Sequence, residues 1–445
     1  MPLPHGELQN VARRGTGKDC DLAPAVYNLT ISALLMGDQE FMQKLKKIVI
    51  IGGCGHVGLP LGIVFANCGL DVVLLDRDQA KIETVNAGQM PFMETNALEQ
   101  LARVVGKKLT ATSDASCLHD SDAAIAVLGT PVDEHLNPTV TDLYQSIDEV
   151  IARMPENALL VLRSTVYPGV TKLVYERLQA SGRKILLSFC PERIAEGKAM
   201  EEIRTLPQII SAFDPASLAR VRELFSIINE DLIELSPLEA ELAKLFTNSW
   251  RYMNFAISNQ FYVLAETYGL DFQRIYGAVT HRYPRMRSFA KAGFAAGPCL
   301  LKDTLQLSAF SGNNFFLGHS AMLVNEGLPN FVVNQLRQQQ NLRDKVVAVL
   351  GMAFKGESDD KRESLSYKLR KLLMVEAKEV LCTDPYVVDP KLVPLGEALR
   401  RADVIILGAP HAAYRDLPIP SEKVIVDVWG FWPTRHQTAG GHLAS

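Results

Sequence analysis

The sequence is poor in the features that mark secreted, metal-binding or nucleic-acid-binding proteins. Its seven cysteines among 445 residues are scattered, and none stands in a CxxC pair. An odd, unpaired set argues against a disulfide framework or a zinc site and favours a reducing compartment. The formal net charge of −4 gives no reason to expect nucleic acid or an acidic membrane surface as a partner. We therefore expect a cytoplasmic protein without a bound metal.

The sequence also lacks a convincing membrane span or signal peptide. Residues 48–75 form the most apolar stretch, but glycines and polar residues interrupt it, as in a strand, loop, helix and second strand. Residues 1–40 contain no basic region followed by an apolar one. We expect residues 1–44 to be an N-terminal extension without fixed structure.

What the sequence does contain is a regular alternation of short apolar runs and helical patterns. The runs are KKIVIIG, DVVLLD, DAAIAVLG, ALLVLRS, KILLSF and PQIISA and, after a long break, DKVVAVLGMAF, EVLCTD, DVIILGAP and KVIVDV. Strands that are apolar on both faces and alternate with helices indicate a parallel sheet covered on both sides. Within the break, Ser236 and Pro237 predict the start, and Gly269 the end, of one helix of about thirty residues.

These patterns predict an α/β protein with two Rossmann-like, doubly wound domains joined by a long central helix. No short-period repeat or low-complexity segment interrupts the order. The expected parts are a first domain (45–235), a central helical domain (236–338), a second α/β domain (339–433) and a tail (434–445).

The segment IVIIGGCGHVG carries a dinucleotide-binding pattern directly after the first predicted strand. Gly53, Gly55 and Gly58 have the G-x-G-x-x-G spacing, which provides a tight turn, a close approach to a pyrophosphate and helix–strand packing, respectively. Asp76 ends the second strand about twenty residues later, where a carboxylate accepts hydrogen bonds from a ribose diol and repels a 2′-phosphate. The pattern favours NAD over NADP; the alternative is a glycine-rich turn that binds no cofactor.

Three polar clusters follow the first glycine loop. They are Ser164, Thr165 and Pro168 after one strand, Glu192 and Glu196 after the next, and Glu241, Lys244 and Asn248 on the long helix. Loops at the carboxyl ends of strands line the ligand crevice of such sheets, and i, i+3 and i+4 spacing places helix residues on one face. The plainer interpretation of the helix residues is an exposed ion pair beside an amide.

Cys299 stands between small residues and a Lys-Asp pair in AGFAAGPCLLKD. Free cysteines are usually buried and inert, which is the plain alternative here. However, residues 295–297 leave room beside the thiol, and LLKDTLQL indicates a helix whose N-terminus favours a thiolate. A thiol beside NAD suits the oxidation of a primary alcohol to an acid, because thiolate addition to the aldehyde allows a second hydride loss and gives a thioester that water cleaves.

Taken together, the motifs resemble those of the UDP-glucose/GDP-mannose dehydrogenase family over residues 46–433. The ordered set is GGCGHVG, VLGTPVD, STVYPG, PERIAEG, AKLFTNS, AAGPCLLKD, LGMAFKGESDDKRES and TDPY. The resemblance implies oxidation of C6 of a nucleotide sugar to the uronic acid with two NAD, for polysaccharide biosynthesis. It also implies a second α/β domain that holds the nucleotide, and a homodimer formed through the long helix.

The resemblance further implies a role for each matching residue. Cys299 matches the nucleophile, Asp303 its companion carboxylate, Lys244 and Asn248 the oxyanion-stabilising pair, Glu192 and Glu196 carboxylates near the reacting carbon, and Thr165 a water-ordering hydroxyl. Glu196 is the candidate for positioning or deprotonating the hydrolytic water. The expected NAD contacts are Gly53, Gly55, His56, Val57, Gly58, Asp76, Lys81, Thr130, Thr165, Lys302 and Arg362. The expected substrate contacts are Glu192, Arg193, Glu196, Lys244, Asn248, Arg285, Ser288, Phe289, Ala296 and Lys355.

The sequence departs from the family at a few positions and leaves the sugar open. Pro298 follows Ala296 and Gly297 where the family usually has two glycines and one further residue before the cysteine, and Gln260 replaces a frequent glutamate. CPER and RYPRMRSF favour UDP-N-acetylhexosamines, notably UDP-N-acetyl-D-mannosamine, whereas AEG and LLKD resemble the UDP-glucose branch. The rival hypotheses are an inactive nucleotide-sugar-binding relative and a 2-hydroxyacid or 6-phosphogluconate type of dehydrogenase.

Overall fold

Two sheets organise the part of the chain that the computed structural model describes, which is residues 44–129, 141–294, 297, 299–420 and 422–432. The predicted extension (1–44, apart from Lys44), the whole predicted tail (434–445) and the predicted contacts Thr130 and Ala296 lie outside these residues. Within the described ranges, no helix combines the length and apolarity that a bilayer span requires.

The larger sheet has eight strands in the spatial order β3-β2-β1-β4-β5-β6-β7-β8. The strands are β1 Lys47–Ile51, β2 Asp71–Leu75, β3 Leu109–Thr112, β4 Ala123–Ala126, β5 Leu159–Leu162, β6 Leu186–Phe189, β7 Gln208–Ala212 and β8 Leu232–Leu235. The helices are α1 Gly58–Asn67, α2 Gln79–Asn86, α3 Ala97–Val104, α4 Thr141–Arg153, α5 Val170–Ser181, α6 Ala199–Thr205 and α7 Pro215–Ser226. Apolar clusters cover both faces of this sheet, as expected for a doubly wound fold.

Two strands of the larger sheet, β7 and β8, run against the predicted direction. β7 is antiparallel to β6, with Phe189 opposite Ser211, and the other neighbouring strands are parallel. Residues 190–207, which contain the seven-residue helix α6, about 10 Å long, connect β6 to β7 without returning across the sheet. Residues 190–207, which include both predicted glutamates, therefore stay at the carboxyl edge of the parallel strands.

The long helix α8 runs from Pro237 to Thr267 and begins and ends as predicted. The Glu239 carboxylate accepts hydrogen bonds from the Ser236 backbone and hydroxyl at 2.8 and 2.7 Å, which stabilises its first turn. Gly269, with φ +67°, follows its end. Three further helices pack around α8: α9 Phe272–Thr280, α10 Leu300–Phe310 and α11 Phe316–Gln339.

The smaller sheet is parallel throughout, in the order β10-β9-β11-β12. Its strands are β9 Val346–Leu350, β10 Glu379–Thr383, β11 Val404–Leu407 and β12 Val424–Val426, and its helices are α12 Leu365–Glu376 and α13 Leu395–Arg401. The predicted fold class, two Rossmann-like units joined by a long helix, is confirmed.

Candidate active site

The glycine loop after β1 has the shape that a dinucleotide phosphate requires. A Cβ on Gly53 would lie 2.7 Å from the Leu74 side chain, and one on Gly58 would lie 2.6 Å from the Gly52 carbonyl oxygen. A Cβ on Gly55 would meet only one atom within 4 Å, at 3.5 Å, so the open side of the loop is there. The left-handed turn, which the sequence pattern assigned to Gly53, is made by Gly52 at φ +73°.

Asp76 closes this loop from the end of β2. Its carboxylate accepts hydrogen bonds from the backbone of Cys54 at 2.9 Å and Asp78 at 3.1 Å. Lys81 lies in the first turns of α2, with Nζ 3.8 Å from the Asp78 carboxylate. Asp76 suits the ribose of NAD, and the amino end of α1, which begins directly after Val57, suits the pyrophosphate.

His56 connects the glycine loop with the second α/β unit. Its ring lies 4.0 Å from the Phe92 ring, centroid to centroid. Burial and the nearby Arg362 guanidinium lower the pKa of His56 to about 4, so the ring is neutral at pH 7. The predicted NAD contacts on the loop and Arg362 therefore lie in one region of the molecule.

The contact between α8 and α10 brings the predicted nucleophile together with its companions. Cys299 immediately precedes α10, as predicted, and Asp303 lies one turn later and is fully buried. The Asn248 side-chain amide donates to Asp303 Oδ2 at 2.6 Å, and Lys302 Nζ lies 2.9 Å from Asp303 Oδ1. Asp303 thus holds an amide and an ammonium group beside the thiol.

The surroundings of the Cys299 thiol shift its pKa in the direction opposite to that expected at a helix N-terminus. Part of Cys299 is exposed, but the surrounding protein partly desolvates its thiol. This desolvation and the Asp303 carboxylate raise the thiol pKa, while Lys244 and Lys302 oppose the rise. Burial likewise lowers the pKa of Lys244, opposed by Asp303, Cys299 and Glu192. Desolvation first and the Asp303 carboxylate second thus oppose the thiolate that the helix N-terminus was predicted to favour.

The helix face that carries Lys244 and Asn248 is not an exposed ion pair. Glu241 is 1% exposed, and its carboxylate accepts from the backbone of Gly169 at 2.6 Å and of Thr171 at 2.8 Å, at the start of α5. Glu241 therefore ties α8 to the loop that holds the partly buried Thr165 after β5. This contact fixes Lys244, one turn further along α8.

The two predicted glutamates have different surroundings. The buried Glu192 carboxylate pairs with the fully buried Arg163 guanidinium, with Nε at 2.9 Å, and accepts from the backbone of Arg193 at 2.7 Å and Ile194 at 3.1 Å. Both of its oxygens are thus occupied by groups of its own loop and of β5. The environment makes Glu192 an anchor for the loop that carries Glu196.

Glu196 is the glutamate with free hydrogen-bonding capacity. Burial and the Asp360 carboxylate raise its pKa to about 7, against the opposing charges of Arg362 and Lys355. Oε1 lies 3.4 Å from the Arg362 guanidinium, and the buried Oε2 has no hydrogen-bond partner among the described residues. Lys355 donates to the backbone carbonyl of Glu196. A carboxyl group that titrates near neutral pH at this position suits a general base.

Four of the predicted substrate contacts have partners of their own. Arg285 is exposed and donates to the Tyr283 hydroxyl at 2.7 Å, and Phe289 stacks on Tyr276 at 5.3 Å. The exposed Ser288 accepts from Asn254 through its carbonyl at 2.6 Å. Arg193 donates to the Pro207 carbonyl and packs at the base of the Glu192 loop. Among the described residues, no hydrogen bond or ring contact joins these four to Cys299.

Sequence reasoning missed several residues that shape the site. Arg251 continues the 244 and 248 positions by one turn of α8 and acts electrostatically on both Lys244 and Lys355; the i+7 spacing was a usable signal. Glu94 accepts from Gly197 and Ala199, both at 2.8 Å, and so holds the Glu196 loop. Its role depends on a contact more than a hundred residues away, which no local pattern reveals.

One group of side chains has the composition of a metal site. Ligand atoms of His56, Glu196 and Asp360 lie within 4.8 Å of one another. Both Asp360 oxygens, however, already accept from Arg362, at 2.9 and 3.0 Å from Nε. A cation there would have to displace the guanidinium, so we assign no metal to the group.

A phosphate-binding glycine loop with an acidic ribose partner, next to a cysteine flanked by cationic and carboxylate groups, defines an NAD-dependent dehydrogenase. Models of the UDP-glucose/GDP-mannose dehydrogenase family match the NAD binding domain at residues 46–229, the central domain at 238–326 and the UDP binding domain at 348–434. The chain belongs to this family, and NAD is its cofactor.

Similar proteins carry more specific names. The UDP-N-acetyl-D-mannosamine dehydrogenase of Pyrococcus horikoshii is 28% identical over 398 residues, 85% of this chain and 94% of its own length. Its structure has a TM-score of 0.77, with 84% of this chain and 91% of that chain covered at 27% identity. A UDP-glucose dehydrogenase structure from Pyrobaculum islandicum has a TM-score of 0.79 at 25% identity and covers 87% of this chain and 98% of that chain.

Proposed function

We propose that this enzyme oxidises C6 of a UDP-sugar from the primary alcohol to the carboxylate, with Cys299 as the nucleophile and two NAD per sugar. The observation that carries the proposal is the group formed by Cys299, Asp303, Asn248 and Lys244 beside Glu196. This group supplies a sulfur, donors for an oxygen that gains negative charge, and a base, which are the three functions that the second oxidation and hydrolysis require.

The thiol accounts for the four-electron course. The first oxidation removes a hydride from C6 and a proton from its hydroxyl, which gives an aldehyde. The Cys299 sulfur then bonds to the aldehyde carbon as its proton passes to the oxygen. Loss of a second hydride from that carbon and of the hydroxyl proton gives a thioester, and water cleaves the carbon–sulfur bond to release the carboxylate and the thiol. NAD, when bound, accepts the hydride in each oxidation.

The surrounding residues have distinct tasks in this proposal. Lys244 and Asn248 donate to the C6 oxygen as it gains negative charge, and Asp303 keeps Asn248 oriented and Lys244 protonated. Glu196 takes a proton from the water that attacks the thioester, since its raised pKa allows it to do so near pH 7. Thr165 orders that water from the loop after β5.

We propose UDP-N-acetyl-D-mannosamine as the sugar, oxidised to UDP-N-acetyl-D-mannosaminuronate for polysaccharide biosynthesis. The names of the similar proteins support an N-acetylhexosamine, and the similarity to a UDP-glucose dehydrogenase structure makes UDP-glucose the alternative. A pocket of about 260 Å³ lined by Lys291, Arg415, Trp429 and Phe431 combines positive charge with aromatic surface, which suits a nucleotide.

A homodimer through α8 is part of the proposal. Large apolar side chains remain exposed along one stripe of the helix: Phe246, Trp250, Ile257, Phe261, Leu264 and Tyr268. Their spacing of three, four or seven residues follows one helix face, and such a stripe marks an interface. The six cysteines in the described residues are unpaired, which supports the proposed cytoplasmic location.

The test is NADH formation by the purified protein with UDP-N-acetylmannosamine, other UDP-N-acetylhexosamines, UDP-galactose, UDP-glucose and GDP-mannose. We expect two NADH per UDP-N-acetylmannosamine, and no turnover in Cys299→Ala. Cys68→Ser is the matched control, because Cys68 is exposed and its sulfur accepts a hydrogen bond from the exposed Arg204. The proposal fails if none of the sugars yields NADH, or if one NADH per sugar is formed.

A further inference from the structure

A buried histidine–aspartate pair in the second α/β unit has no place in the chemistry proposed above. The side chains of His411 and Asp384 are both fully buried, and His411 Nε2 lies 3.1 Å from Asp384 Oδ2. Asp384 directly follows β10, and His411 comes four residues after β11 ends at Leu407. Because β9 lies between these strands, the pair meets over the carboxyl end of β9.

The pair clamps residues 352–363, which leave β9 and which we call the crossing segment. Asp384 Oδ2 accepts from the backbone of Met352 at 2.6 Å and of Ala353 at 3.1 Å. His411 Nδ1 accepts from the Glu357 backbone N–H at 3.1 Å. Because Nδ1 accepts, the neutral ring carries its hydrogen on Nε2 and donates it to Asp384.

The hydrogen bond to His411 falls where the crossing segment adopts an unfavourable backbone conformation. Glu357 has φ +54°, in the left-handed region that non-glycine residues seldom occupy. Its side chain adds a second contact on the same side, since it accepts from the Ala412 backbone at 2.6 Å. Such a conformation persists only where its surroundings fix it, and His411 and its neighbour do so here.

The crossing segment then reaches the candidate active site at three points. The Phe354 ring packs so closely on Gly297 that a Cβ there would lie 2.7 Å from it, two residues before Cys299. Lys355 donates to the Glu196 carbonyl, and Arg362 lies 3.4 Å from the Glu196 carboxylate. The conformation of this one segment therefore sets both the cysteine loop and the candidate base.

We propose that His411 is a positioning residue: by accepting the Glu357 N–H while held by Asp384, it fixes the crossing segment in the conformation that presents Phe354, Lys355 and Arg362 to the active site. The catalytic consequence rests on the proposed function and on the predicted contacts of Lys355 with the substrate and of Arg362 with NAD. The structural consequence does not depend on them.

Two amide substitutions at His411 test whether the hydrogen-bond acceptor for the Glu357 N–H matters, apart from the loss of the imidazole ring itself. In His411→Asn the side-chain oxygen can take the place of Nδ1, whereas in His411→Gln the amide reaches the Nε2 position and leaves Glu357 without an acceptor. We expect H411Q to raise the KM for both NAD and UDP-sugar about tenfold or more with a smaller change in kcat, and H411N to restore most of this loss. Equal losses in the two variants, or none in H411Q, would overturn the proposal.

Trypsin cleavage after Lys355, Lys361 and Arg362, in protein without substrate, provides a readout independent of turnover. We expect cleavage there to be about tenfold faster in H411Q and unchanged in H411N and in the control H119Q, since His119 is exposed in the first unit. If the unmodified protein turns over no sugar but this cleavage pattern holds, the proposed function fails and the positioning role of His411 stands. Should H411Q not fold, hydrogen exchange of the unmodified protein decides, because an unprotected Glu357 amide contradicts the clamp.

Discussion

Glu196 is the residue whose environment makes the sharpest prediction about rate. In the proposed role it must be ionised to accept a proton, and its pKa is raised to about 7. We expect turnover of the unmodified protein to rise with pH through that value. Glu196→Gln should lower turnover by about 10²- to 10⁴-fold and abolish this rise. The measurement is NADH formation as a function of pH, with the exposed Glu176→Gln as control; an unchanged profile in E196Q would exclude Glu196 as the base.

The same pKa predicts an effect on stability without substrate. The folded-state pKa of Glu196 lies above that of the unfolded chain, so the carboxyl group favours unfolding as pH rises from about 4 to about 7. Glutamine cannot ionise and avoids this cost. The melting temperature of E196Q relative to the unmodified protein should therefore be higher at pH 8 than at pH 5. A difference that does not vary with pH would show that Glu196 is not destabilised in its charged form.

The neighbours of Cys299 predict how fast its thiol reacts. Because burial and Asp303 raise its thiol pKa, Asp303→Asn should increase the thiolate fraction and speed alkylation of Cys299 by iodoacetamide at pH 7 several-fold. Lys244→Met removes an opposing charge and should slow it. The site of alkylation is read by peptide mass spectrometry, with the exposed Cys68 in the same sample as internal reference. A slower reaction in D303N would contradict the assigned cause.

The sequence could predict the members of the site that share an element or an exact spacing. Cys299 and Asp303 are one helical turn apart, as are Lys244 and Asn248, so their partnership follows from helix geometry. The prediction that the helix end favours a thiolate did not take in desolvation and Asp303, which both raise the pKa of the Cys299 thiol and depend on how the chain packs. Arg163 neutralises Glu192 across two strands, and no local pattern reports such a partner.

At the scale of elements, α8 has two faces of different character. Its inner face places Lys244 and Asn248 against α10, and its outer stripe exposes Phe246 and Trp250, which are 56% and 55% accessible. Trp250→Glu should dissociate the proposed dimer, because a buried unpaired carboxylate is costly at an interface core. Analytical ultracentrifugation measures the outcome, with Val388→Glu, at an 88% exposed loop position, as control. A monomeric unmodified protein would contradict the dimer.

The strands that are apolar on both faces could be predicted from the sequence. The two edge strands of the larger sheet and the reversed direction of β7 and β8 could not. The edge strands β3 (Leu-Thr-Ala-Thr) and β8 (Leu-Ile-Glu-Leu) mix polar and apolar side chains, and they are less buried than the central strands: β3 alternates buried with more accessible residues, and no residue of β8 is buried. The reversal of β7 and β8 is set by the path of residues 190–207, and apolar runs do not report strand direction. The reversal nevertheless decides that the Glu196 loop lies at the catalytic edge.

At the scale of the whole molecule, two glycines that precede Cys299 pack against the second α/β unit without room for a Cβ. A Cβ on Gly293 would lie 2.2 Å from the Trp429 ring, and one on Gly297 would lie 2.7 Å from Phe354. The Trp429 indole is itself held by its N–H, which donates to the Gly408 carbonyl at 3.1 Å. The position of Cys299 therefore depends on residues more than fifty positions further along the chain, which composition and spacing could not reveal.

This packing predicts a specific coupling between Gly293 and Trp429. Gly293→Ala should lower the melting temperature and turnover, because overpacking of a filled contact typically costs about 1–3 kcal/mol. In a Trp429→Leu background the added methyl group has room, so the same substitution should cost much less. Gly277→Ala is the matched control: no atom lies within 4 Å of its Cβ position in α9, and alanine there should be neutral or stabilising. Equal shifts from G293A in both backgrounds would mean that the cysteine loop does not depend on Trp429 for its position.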